Sequence, residues 1–458
     1  MNVKEEIEKI INDGPKDVHF TWGLSIENPH KLWEPLKLIS IDIKRDYDTS
    51  FADYILIDTI FPLGTYLHHF LPYKEELIAT LIRYRKSECN DSFDDDEEDK
   101  YERMYTAIMT TEESDMLRNA QYHSHDAESA NIAETIRLQF QLMDIGLEEM
   151  RFHEVGGIYR NSVPLDVARY VLTKISNELD LPEEEEIKGV DIYPPDNEEE
   201  NVHIILPHGI RPMDVPAYIQ DNWGGIYNTG ISCYLQDKLW YIWPTFFHQR
   251  FEEEERSLII YNLPSTVLPG SERTYREEDE KVHLIATREA IHSDYNHFFK
   301  LNHGTGTRFA HGYKLMNAAG ETKENKHTVE RKENNSEYES IRRPPYHVSP
   351  VAPIRITNNQ FSQVSKLAVR DGSILELLWE NSKPELIYPG MPAKVIFFRD
   401  NEPEEILGIV LRVHHYIYDN NYGIVKGRFI CNSYLAIFVE IFDDDDEEGG
   451  EGGGEGSE

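Results

Sequence analysis

Only three cysteines occur in the 458 residues, Cys89, Cys233 and Cys431. They stand far apart, which excludes a disulfide framework and a cysteine-built zinc site and fits a reducing compartment. No apolar run approaches the ~20 residues that a membrane helix needs. The opening segment MNVKEEIEKIINDG carries charge throughout, where a secretory leader needs an apolar stretch, so export by that route is not expected. Basic charge is scarce as well, with 46 Lys and Arg against 84 Asp and Glu and a formal net charge of −38. Such a surface repels duplex nucleic acid unless its cations are segregated to one face. The last sixteen residues, DDDDEEGGEGGGEGSE, hold nine acids and no base, so most of the excess lies elsewhere in the chain.

Catalytic signatures are also missing. There is no GxSxG elbow, HEVGG (153–157) lacks the second histidine of a zincin, and the glycines of HGTGTRF (303–309) are not followed by the Lys-Ser/Thr pair of a phosphate loop. YHSHDAES (122–129) offers the one set with metal-ligand character. His123 and His125 would share a face of a strand, with Asp126 beside them, and a metal-dependent hydrolase would be built on those three. No further histidine follows at ligand spacing. The expectation is therefore no catalytic residue, no metal and no cofactor. His68-His69 and His414-His415 would each place one imidazole on either face if extended, and are expected to be partly exposed structural residues.

What the chain does have is β pattern. Its length suits about three domains, and 26 Tyr and 19 Phe suit a β-leaning fold. In LKLISIDIKRD (36–46), Ile39, Ile41 and Ile43 alternate with polar residues; ADYILIDTIF and ELIATLIRYRK (76–86) follow, and together these predict a three-strand sheet. TIRLQFQLMD (135–144) resumes it after a charged loop near 91–102. PLDVARYVLTKISNEL (164–179) repeats apolar residues at helical spacing behind Pro164 and predicts a helix. A second, short helix is expected in PMDVPAYIQDNWGG, with Asp214 as N-cap and Gly224 at its end. GISCYLQDKLWYIWP predicts a hairpin turning at Gln236, Asp237 and Lys238, and TYREEDEKVHLIAT another with an acidic tip. RITNNQFSQVSKLAVRDG is expected to be a capped helix closed by Gly372.

The fold class so read is mainly β with some α. Composition divides the chain into an N-terminal extension (1–19), a β domain (20–181), an acidic linker (182–201), a mixed α/β middle domain (202–316), a polar linker (317–346), a second β domain (347–442) and a disordered acidic Gly-rich tail (443–458). The second β domain contains a stiff corner, IYPGMPAKVIFF (387–398). Pro389, Gly390, Met391 and Pro392 form a structural turn that forbids helix and launches a buried strand. Two strands of fourteen or more residues close the domain, each about 45 Å at roughly 3.3 Å per residue. Gly408, Gly423 and Gly427 are placed as bulges in them.

The stretches DYILIDTIFPLGTYLHHFLPYKEELIATLIR (53–83), LPHGIRPMDVPAYIQDNWGGIYNTGISCYLQDKLWYIWP (206–244), ERTYR (272–276), LNHGTGTRFAHGYKLM (301–316) and LIYPGMPAKVIFF (386–398) resemble the baseplate hub proteins of large contractile-tailed bacteriophages. The resemblance implies a non-enzymatic virion protein: a homotrimer whose subunits each carry two tube-type β-barrel domains, joining a six-fold tail tube to a three-fold central spike around a DNA conduit. The partners it implies are other copies of the chain, the tail tube protein, the central spike protein and other baseplate proteins. It implies no specific nucleic acid and no membrane insertion, and it locates the protein in the tail baseplate after assembly in the host cytoplasm. A peripheral tail or host-binding protein is the neighbouring alternative. The acidic tail stands outside the resemblance, and any peptidoglycan-cleaving activity is expected to belong to another chain.

Overall fold

A computed structural model describes residues 3–13, 20–85, 101–110, 135–223, 225–227, 229–254, 256–264, 273–292, 308–310, 319–323, 326–330, 373–399, 402–420 and 429–439. Helix α1 (Val3–Asp13) is followed by strands β1 (Phe20–Asn28), β2 (Lys31–Trp33), β3 (Lys37–Asp46), β4 (Tyr54–Pro62), β5 (Ile78–Arg85), β6 (Tyr101–Met109) and β7 (Thr135–Asp144). A mixed stretch comprises α2 (Ile145–Met150), β8 (Val155–Ser162), α3 (Pro164–Glu178), β9 (Gly189–Ile192), β10 (Asn201–Ile210), α4 (Val215–Asn222), β11 (Ile231–Gln236) and β12 (Leu239–Pro244). Then come β13 (Ser257–Asn262), β14 (Tyr275–Glu278), β15 (Lys281–His292), β16 (Arg308–Ala310), β17 (Ala319–Lys323), β18 (Lys326–Glu330), β19 (Ser373–Glu380), β20 (Pro392–Arg399), β21 (Glu402–Asp419) and β22 (Phe429–Val439). The chain is mainly β, as the alternating patterns predict.

Strand pairing runs β13-β20-β21-β3-β4-β7-β6-β5-β1-β22-β19-β15 and returns to β13, so the large sheet closes into a ring. The pairing of β21 with β22 crosses that ring and divides it into two loops of strands. Each loop encloses its own apolar core. Ile26, Ile41, Ile57, Phe61, Phe70 and Phe140 fill the first, and Leu258, Ile260, Trp379, Val395, Val410 and Ile437 fill the second. The first loop is sealed between β1 and β22 by the pair Phe20–Phe429.

The 18-residue β21 serves both loops. Its front half pairs with β20 from Glu402 to Ile409, and its rear half pairs with β3 from Arg412 to Tyr418. Between them the register with β22 slips at Leu411. The carbonyl of Leu411 accepts from the Tyr47 N–H at 2.9 Å, and its side chain packs with Phe246 and Phe438. A bulge sharpens twist and bends a strand, which lets one strand turn from the wall of one loop into the other. That bulge is not at Gly408, where the sequence places it. Gly408 is instead a close approach: a Cβ there would stand 2.6 Å from the Ile437 side chain and from the Phe438 carbonyl. Gly423 and Gly427 lie outside the described residues.

Other expectations need revision. β3 and β4 pair with each other, but β5 pairs with β1 and β6, because helical turns over 63–73 carry the chain away from β4. His68 and His69 therefore sit in a helical turn and not on a strand. Tyr101 and Glu102, read as the end of an acidic loop, begin β6. Segment 182–201 is not simply a solvated linker: Glu185 is buried and β9 pairs in parallel with β12. Asp214 takes the N-cap position of α4 as expected, but its side chain makes no capping hydrogen bond. A 3-10 turn over Pro212–Asp214 precedes that helix, and the Asp214 carboxylate accepts from Arg211 at 2.6 and 3.1 Å instead. Gly224 is outside the described residues, as are residues 355–372 and the tail 443–458. Pairing also crosses the compositional divisions, since β13 and β15 join β20 and β19. The Pro164-led helix, the Asp237-Lys238 hairpin and the acidic hairpin tip at Asp279 are found where the sequence predicts them.

Candidate functional site: the polar junction between the strand loops

Alternation places Arg45 on the same face of β3 as Ile41 and Ile43, and His415 on the same face of β21 as Val413 and Ile417. Both therefore point inward where the two loops meet. Arg45 is 5% exposed and His415 is fully buried. The Arg45 guanidinium donates from Nε to Asp53 Oδ2 at 3.0 Å and from Nη1 to the Pro384 carbonyl at 2.9 Å. Nη1 also lies 3.4 Å from the Ile387 carbonyl and 3.4 Å from His415 Nε2. The Tyr234 hydroxyl donates to Asp53 Oδ1 at 2.9 Å, and Tyr47 donates to Gln236 Oε1 at 3.2 Å. Gln236 Nε2 in turn donates to the Ile387 carbonyl at 2.9 Å. One guanidinium thus ties β3, the 50s loop, the β11–β12 hairpin and the chain leading into the YPGMP corner.

The polarity of this network fixes its protons. Arginine can only donate, so His415 Nε2 accepts and its Nδ1–H donates to Ser433 Oγ at 2.6 Å. The chain continues from Ser433 Oγ to Ser382 Oγ at 2.5 Å and from Ser382 Oγ to Cys431 Sγ at 3.1 Å. A Ser-His catalytic pair needs the imidazole to accept the serine proton, with a carboxylate on the far nitrogen. Here a cation occupies that position and the serine receives. Burial pushes the Cys431 thiol up to about 12, far from a reactive thiolate. The chemistry of this cluster is that of a fastener.

Burial, reinforced by the Arg45 cation, holds His415 well below its ordinary value. The unfolded chain then binds a proton below about pH 6.5 that the folded chain refuses. Stability from this group is complete above that pH and falls as the pH drops, by about 1.4 kcal/mol per unit until the folded group titrates. His415→Gln is expected to flatten the acid limb of urea midpoint against pH relative to the parent chain. An unchanged slope would show that His415 is protonated or exposed in the fold.

At the corner itself, the Met391 N–H donates to the Tyr388 carbonyl at 3.3 Å and Gly390 has φ +68°. Pro389 at the first central position and a positive-φ glycine at the second are the features of a type II turn. Pro389, Gly390, Met391 and Pro392 are all buried. Gly390 lies against Trp243, so that a Cβ would stand only 2.2 Å from the indole Nε1 and 2.4 Å from Cδ1 and Cε2. The Met391 carbonyl accepts from Val410 N at 3.0 Å, tying the turn to β21.

A second buried arginine, Arg103 on β6, joins the first loop to the mixed unit. It donates to Glu185 at 3.0 Å and Asp144 at 2.8 Å, with Asp237 at 3.5 Å. Glu185 also accepts from the Met104 N–H at 3.0 Å. This accounts for a buried glutamate in the middle of an acidic segment.

His414 is the exposed half of its pair and lies 2.5 Å from Asp42 on the outer face of β3. His123, His125 and Asp126 lie outside the described residues. Among the described residues, no group of three or more His, Cys, Asp or Glu could hold a metal ion, and no helix is long and apolar enough to cross a membrane.

No family model matches the sequence, and no curated protein matches it. Among solved structures, the chain is similar to a tail protein from Neisseria meningitidis MC58, at 10% identity over 91% of this chain and 96% of that one, with a TM-score of 0.44. It is similar to the 43 kDa tail protein of prophage MuSo2 from Shewanella oneidensis at 10% identity, 91% and 98% coverage and a TM-score of 0.44. A third is an E. coli component of the type VI secretion system, described as structurally similar to the T4 tail proteins gp27 and gp5, at 9% identity, 91% and 76% coverage and a TM-score of 0.40.

Proposed function

We propose that this chain is a structural hub protein of a contractile phage tail, in which each strand loop acts as one tube-type β-barrel. The observation that carries the reading is the shared hairpin: β21 and β22 belong to both loops, so the two units are held at one fixed angle by continuous backbone. Successive positions around a tube require such fixed geometry. Three copies would then supply six barrel units, matching a six-fold tail tube on one side and a three-fold spike on the other. The chemistry of the junction fits a scaffold, since its polar groups are spent on one another. The acidic composition suits a conduit that passes DNA without holding it. On this reading the tail tube protein, the central spike protein and other baseplate proteins are its partners, and the assembled tail is its location.

Interfaces of this kind bury more than ~2,000 Å². Mass measured across a concentration series, with and without the spike protein, is expected to reveal a trimer. A strict monomer under every condition would contradict the proposal.

A further inference from the structure

β13 runs parallel to both of its neighbours, β15 and β20. A strand so placed is normally covered on both faces. Leu258 and Ile260 face the core of the second strand loop, while Ile259 and Tyr261 face outward with Ile285 of β15 and Ile396 of β20. What covers that outward face is α1. Val3 and Ile10 are buried against it, and Ile7 and Ile11 are half-buried beside them. Arg273 holds the far end of the helix, donating from Nη1 to the carbonyls of Ile11 and Asn12 at 3.0 and 2.6 Å. A helix of 11 residues is marginal alone in water, where about 12 to 15 are needed even in favourable sequences, so α1 is helical because it is docked. One titratable group shares the covered face. His283 stands across from Ile259, two residues before Ile285, and is 7% exposed. Its Nδ1 lies 3.3 Å from the Tyr261 hydroxyl and its Nε2 3.9 Å from the Glu278 carboxylate. The charges around it are Glu6 of α1, Arg276 and Glu278 of β14 and Lys281 of β15.

We propose that α1 is a strap that undocks as a unit while the strand loops stay folded, and that acid releases it through His283. Docking takes this imidazole out of water, and burial holds it below its ordinary value even though Glu278 and Glu6 favour the cation. Undocking returns it to water, where an imidazole titrates near about 6.5. The stability of docking is therefore complete above that pH and falls as the pH drops toward the docked value. Glu6 is held low by its hydrogen bond from Lys9 at 2.5 Å, so it stays charged through this range. Release uncovers the outward face of β13 and frees the segment that leads into β1. The inference is independent of the hub reading.

The test is hydrogen exchange of the full chain between about pH 5.5 and 7.5, read by mass spectrometry, with each rate divided by that of an unstructured peptide at the same pH. Amides of α1 are expected to exchange through openings that leave β3 and β4 protected. Their protection should fall below about pH 6.5 by up to about tenfold per unit, and the His283→Gln protein should lose that slope. Arg273→Ala should lower α1 protection about tenfold at every pH and leave β3 and β4 unchanged. β3 and β4 report global unfolding, so the acid effect of His415 is read separately from that of the strap. Exchange of α1 no sooner than that of β3 and β4, α1 protection unchanged by Arg273→Ala, or a parental pH slope retained in His283→Gln would overturn the proposal. Flat protection of α1 across this range in the parent chain would overturn it too, so the test survives a His283→Gln protein that fails to fold.

Discussion

Gly390→Val is expected to lower stability by about 2 to 5 kcal/mol, adding the cost of a side chain at positive φ to that of overpacking a filled core. Two independent features of the site combine. Gly390 has φ +68°, and any Cβ would clash with the Trp243 indole, 2.2 Å from its Nε1. Trp243 cannot retreat easily, because it is buried in the core of the second strand loop with Tyr47, Tyr234 and Met391. The turn is also held at both ends, through Met391 N to Tyr388 O and Val410 N to Met391 O. Urea unfolding of parent and variant gives the difference directly. Gly390→Ala should fall between them, since it meets the same ring with less bulk. Equal midpoints for all three would mean that the corner is not fixed by its contact with Trp243.

Arg45→Ala is expected to cost about 3 to 5 kcal/mol, the range for removing one partner of a buried ion pair. The loss arises less from the missing attraction than from what remains. Asp53 keeps only the Tyr234 hydroxyl, and the carbonyls of Pro384 and Ile387 lose a donor in a site closed to water. Arg45→Met combined with Asp53→Leu should recover much of the stability, because it removes the charges together. The double-mutant cycle is the measurement, with unfolding followed by both fluorescence and circular dichroism. A single variant within about 0.5 kcal/mol of the parent, the scale of surface substitutions, would show that Arg45 is not the fastener described.

The elements of this fold were more legible than their neighbours. Period-two alternation located β3, β4 and β7, and the apolar stripe behind Pro164 located α3, because those signals are set by a residue and the few beside it. Which strand lies beside which is decided by contacts far apart in sequence. β5 therefore could not be placed next to β1, nor β13 next to β20, from local pattern. Asp214 stands at the N-cap position of α4 as the pattern predicts, but its carboxylate accepts from Arg211 and not from the helix. Glu185 looked solvated among acids because its partner, Arg103, lies 82 residues distant. For the polar junction a signal did exist: Arg45 and His415 each interrupt an apolar face of an otherwise regular strand. Such an interruption announces a buried polar partner without naming it, and Asp53, Ser433 and the corner carbonyls emerge only once the strands are paired.

The most direct measurement of the central claim is electron microscopy of the purified chain under the conditions in which it associates. The account predicts three copies around one axis, each contributing two strand rings joined by the β21–β22 hairpin, with six such rings surrounding an open lumen. Copies that meet without a common axis, or an assembly whose strand rings do not line a channel, would contradict it.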